Sequence, residues 1–143
     1  AIHVSDSKAN FIECLLYNMT YEKSSVVWGF NAELTLNYSS AYDITSKGDT
    51  SLVYLMQGTL KVQSTNVSNF IGTCITISEL TLLEISGSLI ERGEALDTAA
   101  VWGTDVKTAK LSNSTIRHIR SGGEPGVIYF EKSKNYNQSS LIV

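Results

Sequence analysis

Short runs recur along the chain, each opening with an apolar residue followed by a β-branched one. Stacking them gives a column of Ile2, Val27, Val53, Ile75, Val101 and Ile128, with spacings of 25, 26, 22, 26 and 27 residues. A second apolar pair follows in each unit: Cys14/Leu16, Leu34/Leu36, Leu60/Val62, Leu83/Ile85, Ala109/Leu111 and Leu141/Val143. A polar turn comes next, as Asn18-Met19-Thr20, Ser64-Thr65-Asn66, Gly87-Ser88-Leu89 and Asn113-Ser114-Thr115. Short strands repeating every 20–30 residues cannot bury an inner face alone, but stacked coils can, because like residues then lie above like. The pattern predicts an all-β parallel β-helix solenoid of six coils, starting near Ala1, Ser25, Ser51, Thr73, Ala99 and Gly126. It places Val101 and Leu111 on two sheets of one coil. A helix over Ser78–Ala100 is the competing local reading, weakened by Gly87 and Gly93.

The residue after each β-branched position reads His3, Trp28, Tyr54, Thr76, Trp102 and Tyr129. Strand alternation places this column outside if the β-branched column is inside. Trp28, Tyr54, Trp102 and Tyr129 then form an outward aromatic ladder suited to a partner surface or to sugar rings. Reversed parity, with the aromatics inside, is the alternative. The preceding column of Ala1, Val26, Leu52, Cys74, Ala100 and Val127 is also apolar. A strand apolar on both faces is buried on both. The expectation is that this sheet packs against another chain or under a covering loop.

Composition narrows the picture. The chain has 143 residues, 43% hydrophobic, with mean hydropathy near zero and net charge -3. That suits one domain over 1–143, or a segment of a longer solenoid. Basic residues are scattered, so no stripe invites nucleic acid. No apolar run reaches the roughly 18 residues of a membrane span. No initiator Met or leader pattern opens the chain, which reads as a mature product or a piece of something longer. Five of the nine Asn residues stand in Asn-X-Ser/Thr sequons: Asn18, Asn37, Asn66, Asn113 and Asn137. With Ser and Thr this frequent, chance gives roughly two, and the excess points to a secreted, N-glycosylated protein. Asn37 and Asn137 are expected to face solvent, and Asn66 to lie in a turn. Asn18 and Asn113 are assigned to one turn column, either as glycan carriers or in an internal Asn ladder.

The segments "GGEPGVIYF" at 122–130 and "LSNSTI" at 111–116 are similar to repeats of the right-handed, pectin-lyase-like parallel β-helix. More narrowly, the chain resembles the repetitive β-helices of secreted and cell-surface proteins. The resemblance covers the whole chain as architecture. Its best-known enzymes cleave polysaccharides and imply clustered Asp residues or a catalytic Arg. Here Asp6, Asp43, Asp49, Asp97 and Asp105 are dispersed over different coils. Arg117, His118 and Arg120 are the densest polar cluster, read as a solvated turn in preference to a basic groove for an acidic sugar. Cys14 and Cys74 fall in coils one and four, about three rungs or 14 Å apart, too far for a disulfide. No zinc spacing or phosphate loop occurs, so no cofactor or metal is implied. The expected function is therefore a non-enzymatic extracellular β-helical rod, open at both ends, that assembles end to end or laterally with other copies. The runners-up are a carbohydrate-binding module and part of a polysaccharide lyase or hydrolase.

Overall fold

A computed structural model describes residues 1–22, 24–47, 50–95, 100–122 and 127–131, and the backbone of strand 140–142. The protein is a parallel β-solenoid of five turns. The strands are β1 (Ile2–Ser5), β2 (Lys8–Ile12), β3 (Leu15–Tyr21), β4 (Val27–Asn37), β5 (Ser40–Ser46), β6 (Ser51–Gln63) and β7 (Asn66–Ile71). They continue with β8 (Thr73–Ser86), β9 (Leu89–Ala95), β10 (Val101–Thr104), β11 (Thr108–Ser112), β12 (Thr115–Ser121), β13 (Ile128–Glu131) and β14 (Ser140–Ile142). One nine-stranded sheet carries the order β1-β4-β6-β8-β10-β13, with β2 on β4 and β11 between β8 and β14. The second sheet runs β12-β9-β7-β5-β3. Every pairing is parallel. The described residues form about five complete turns, and β13 and β14 stack on β10 and β11 as the first two strands of the sixth coil, which the sequence stack likewise leaves incomplete. The segment read alternatively as a helix forms β8 and β9.

The β-branched column pairs rung by rung as the sequence stack places it: Ile2 on Val27, Val53, Ile75, Val101 and Ile128. Leu34, Leu60, Leu83 and Ala109 align in the same way, and Ala109 meets Leu141. The first turn differs. Ala9 and Phe11, not Cys14 and Leu16, lie beneath Leu34 and Leu36. Leu16 pairs with Ala41 in the second sheet.

Among the described residues, three corners recur in every turn, each made by a left-handed backbone. The first corner holds Asp6, Asn31, Gln57, Glu79 and Asp105. The second holds Glu13, Tyr38, Ser64, Gly87 and Asn113, and the third holds Asn18, Asp43, Asn69, Arg92 and His118. A left-handed residue swings the strand and shifts its alternation by one, so Val27 and Gly29 face inward before Asn31, and Ala32, Leu34 and Leu36 after it. This explains why Val101 and Leu111 belong to one bent sheet instead of two: β4, β6 and β8 run through the first corner unbroken. A one-residue irregularity between Gly58 and Thr59 lets β8 carry an extra residue against β6.

Inside, Leu34, Leu55, Leu60, Ile77, Leu80, Leu83 and Ile85 are fully buried. The next inward column mixes small and large residues: Val4, Gly29, Leu55, Ile77, Gly103 and Phe130. Gly29 lies beneath Leu55, whose Cδ1 would come within 2.7 Å of a Cβ added there. Gly103 is likewise crowded by Phe130 and Ile77. The Trp-Gly pairs at 28–29 and 102–103 therefore put bulk outside and leave room inside for the neighbouring rung.

Candidate functional site

The outer aromatic column has the expected parity. Val27, Val53, Ile75 and Val101 are buried, whereas Trp28, Tyr54, Trp102 and Tyr129 are half-exposed. His3 meets Trp28 edge-on at 4.3 Å, and Trp28 stacks on Tyr54 at 6.3 Å with rings 3° from parallel. Thr76 interrupts the column, and Trp102 and Tyr129 resume it in register. Phe30 and Met56 flank the first group on the next outward column. Each stacked aromatic pair contributes about 0.5–1.5 kcal/mol beyond burial, so the ladder also holds rungs together. A second outward stack joins Tyr17 to Tyr42 at 5.7 Å.

The apolar column before it is explained differently from the expectation. Val26, Leu52, Cys74 and Ala100 are buried within this chain. They lie where the backbone enters the first strand of each turn, and they belong to the same core cluster as their neighbours. No external partner is needed to cover them. Neither cysteine is bridged. Burial pushes the Cys74 thiol up to about 12.

A ladder of hydroxyls, buried at Ser39, Thr65 and Ser88, lines the second corner. It runs through Cys14, Ser39, Thr65, Ser88 and Ser114, each one residue past the second corner. Cys14 N–H donates to Ser39 Oγ (3.2 Å), Ser39 N–H to Thr65 Oγ1 (3.5 Å), Thr65 N–H to Ser88 Oγ (3.1 Å) and Ser88 N–H to Ser114 Oγ (3.1 Å). Each hydroxyl donates in turn to the carbonyl two residues before it, at 2.9–3.0 Å. The Cys14 thiol makes the equivalent contact with Ile12 O at 3.6 Å. The ladder satisfies amides that the corner turns away from the sheet. Its signal in the sequence is the spacing of these five positions, 25, 26, 23 and 26 residues.

The sequons separate. Asn18 stands at the third corner and Asn113 at the second, so they do not share a column. Both are exposed, which removes the internal Asn ladder. Asn66 is exposed at the start of β7, and Asn37 is half-exposed at the end of β4, outward from buried Leu36. Asn137 lies outside the described residues.

Among the described residues, the Asp side chains do not converge. Asp6 and Asp105 occupy the first corner of turns one and five, and Asp43 the third corner of turn two. Asp49 and Asp97 lie outside the described residues. Asp6 accepts hydrogen bonds from Asn31 Nδ2 (2.8 Å) and Ser5 Oγ (3.0 Å), which lower its pKa. Arg117, His118 and Arg120 lie exposed on β12, with His118 at its third-corner bend. Arg117 Nε donates to Glu91 Oε2 at 2.8 Å, and Arg92 reaches Oε1 at 3.4 Å. The Arg117 hydrogen bond comes first among the influences holding the Glu91 carboxyl below its ordinary range. Among the described residues, no group of three or more His, Cys, Asp or Glu could hold a metal, and no helix is long and apolar enough to cross a membrane. An apolar cavity of about 60 Å³ beside Ile2, Phe11, Cys14 and Leu16 is far smaller than the roughly 300 Å³ of a small-molecule site. Comparison of the chain with family models, curated proteins and solved structures gives no match.

Proposed function

We propose that this chain is a non-enzymatic structural segment of an extracellular glycoprotein: a right-handed, pectin-lyase-like β-helix serving as a rod. The winding sense follows from the strong right-handed preference of parallel crossovers. The observation that carries the reading is the continuous hydroxyl ladder from Cys14 to Ser114, which ties all five turns into one register. Side chains are committed to stacking, and the described sequons all point outward. Among the described residues β1, β2 and β3 pair on one side only, and Ile2, Ile12, Leu15 and Tyr17 are exposed, so another copy or further coils of a longer chain can continue the stack there. Sedimentation velocity and electron microscopy of the intact chain test this. Rods that lengthen with concentration support assembly; a monomer at all concentrations overturns it.

A second reading is carbohydrate binding on the outer aromatic column, favoured by the parallel Trp28 and Tyr54 rings. A glycan array, followed by fluorescence titration of Trp28→Ala against the native chain, separates the two. Saturable binding lost in the variant selects the second reading.

A further inference from the structure

We propose that the second corner of the solenoid is a glycan-bearing edge, and that its Asn37 site accepts a glycan only before the hydroxyl ladder closes. This rests on the extracellular reading above. Three of the four described sequons fall within two residues of that corner. Asn37 immediately precedes Tyr38 in turn two, Asn66 follows Ser64 by two residues in turn three, and Asn113 is itself the corner residue of turn five. All three side chains point away from the core, beside buried Leu36, Thr65 and half-buried Ser114. Asn18 is the exception, at the third corner of turn one.

Glycosylation transfers an oligosaccharide from a lipid diphosphate donor. The Asn amide nitrogen forms a bond to the anomeric carbon as the anomeric C–O bond breaks. The lipid diphosphate leaves with the electron pair, and an amide proton is released. The transferase recognises the Ser or Thr hydroxyl two residues on, so that hydroxyl must be reachable. The three sites differ here. Ser39, the hydroxyl residue for Asn37, is 5% exposed. Its Oγ accepts from Cys14 N–H (3.2 Å) and donates to Asn37 O (3.0 Å), the carbonyl of the acceptor residue itself. Phe11 O lies 3.3 Å away on the rung below. Thr115, which serves Asn113, is exposed, and Ser68, which serves Asn66, is half-exposed. In the folded protein Asn37 therefore presents an amide without its hydroxyl, while Asn113 presents both.

The test reads site occupancy by peptide mass spectrometry in two settings. The full chain is secreted from eukaryotic cells behind a cleavable leader. Unglycosylated bacterial chain is also treated, folded or in urea, with purified transferase and lipid-linked oligosaccharide. Asn37, Asn66 and Asn113 are expected to be occupied on the secreted chain. In vitro, Asn113 should react in the folded chain. Asn37 should react on the order of tenfold or more slowly folded than unfolded, because the ladder must open first. Occupancy of Asn18 with a bare second corner overturns the edge and leaves the extracellular reading standing. Equal rates at Asn37, folded and unfolded, overturn the ladder's control. A secreted chain bare at every sequon overturns both readings.

Discussion

Ser88 is buried, and its one hydroxyl serves two backbone groups: it accepts Thr65 N–H and donates to Ser86 O. In Ser88→Ala the Thr65 amide stays buried without an acceptor. An unsatisfied buried donor costs about 1–3 kcal/mol, so urea unfolding should show a loss of that size. Ser88→Thr should restore most of it, since Thr65 already fills the same slot one rung away. Full stability in the alanine variant would mean that the ladder is incidental. Gly93 makes a different residue-scale demand. A Cβ there would run into the Phe70 ring on the neighbouring rung. Gly93→Ala is expected to lose about 1–3 kcal/mol through overpacking. Adding Phe70→Leu should recover part of that loss; a purely additive double variant would rule out the ring as the cause.

At the scale of the element, β9 and β12 are linked across their outer faces by Glu91 and Arg117. The folded state holds the Glu91 pKa below the ordinary 4.5, first through its hydrogen bond to Arg117. A carboxyl depressed on folding stabilises in full above its unfolded pKa, and the contribution disappears as pH falls through the folded value. Glu91→Gln should therefore weaken the chain at neutral pH and flatten the decline in stability below pH 4.5. Unfolding midpoints of the two proteins that fall in parallel throughout the acid range would refute this. The strands themselves were legible in the sequence because inward positions repeat chemically: Ile2, Val27, Val53, Ile75, Val101 and Ile128 occupy one register. The corners were legible only in part: the polar turns at Ser64, Gly87 and Asn113 mark the second corner, but the first and third went unread. A left-handed backbone usually announces itself as glycine, yet only Gly87 does so among these fifteen positions, while seven are Asn or Asp and the rest include Tyr38 and Arg92. Without the corners, the pair Cys14/Leu16 displaced Ala9/Phe11, and Asn18 was stacked on Asn113. The outward aromatics followed from alternation alone. The hydroxyl ladder did not, because Ser and Thr are common everywhere in this chain and Cys14 stands in its first rung.

For the whole molecule, each turn contacts mainly its two neighbours, so stability accumulates by rung and not around one centre. The middle rungs have neighbours on both sides. Leu55, Leu60, Ile77, Leu80, Leu83 and Ile85, all on β6 and β8, have no exposed surface. In the first turn the equivalent inward residues Ala9, Phe11, Leu16 and Met19 are only half-buried, and Ile2, Ile12 and Leu15 are exposed. Backbone amides of β1–β3 have a shorter path to solvent than those of β6 and β8, because opening the first turn separates one interface and opening a middle turn separates two. Native-state hydrogen exchange should therefore give a gradient, slowest in β6 and β8 and faster in β1–β3. Assembly makes a further demand on the same measurement. If copies stack through the first turn, protection of β1–β3 should rise with protein concentration while β6 and β8 stay constant. Uniform protection across all five turns would mean that the stack opens as a single unit, and the rung-by-rung account would fall. A gradient indifferent to concentration would keep that account and remove the first turn as the site of assembly.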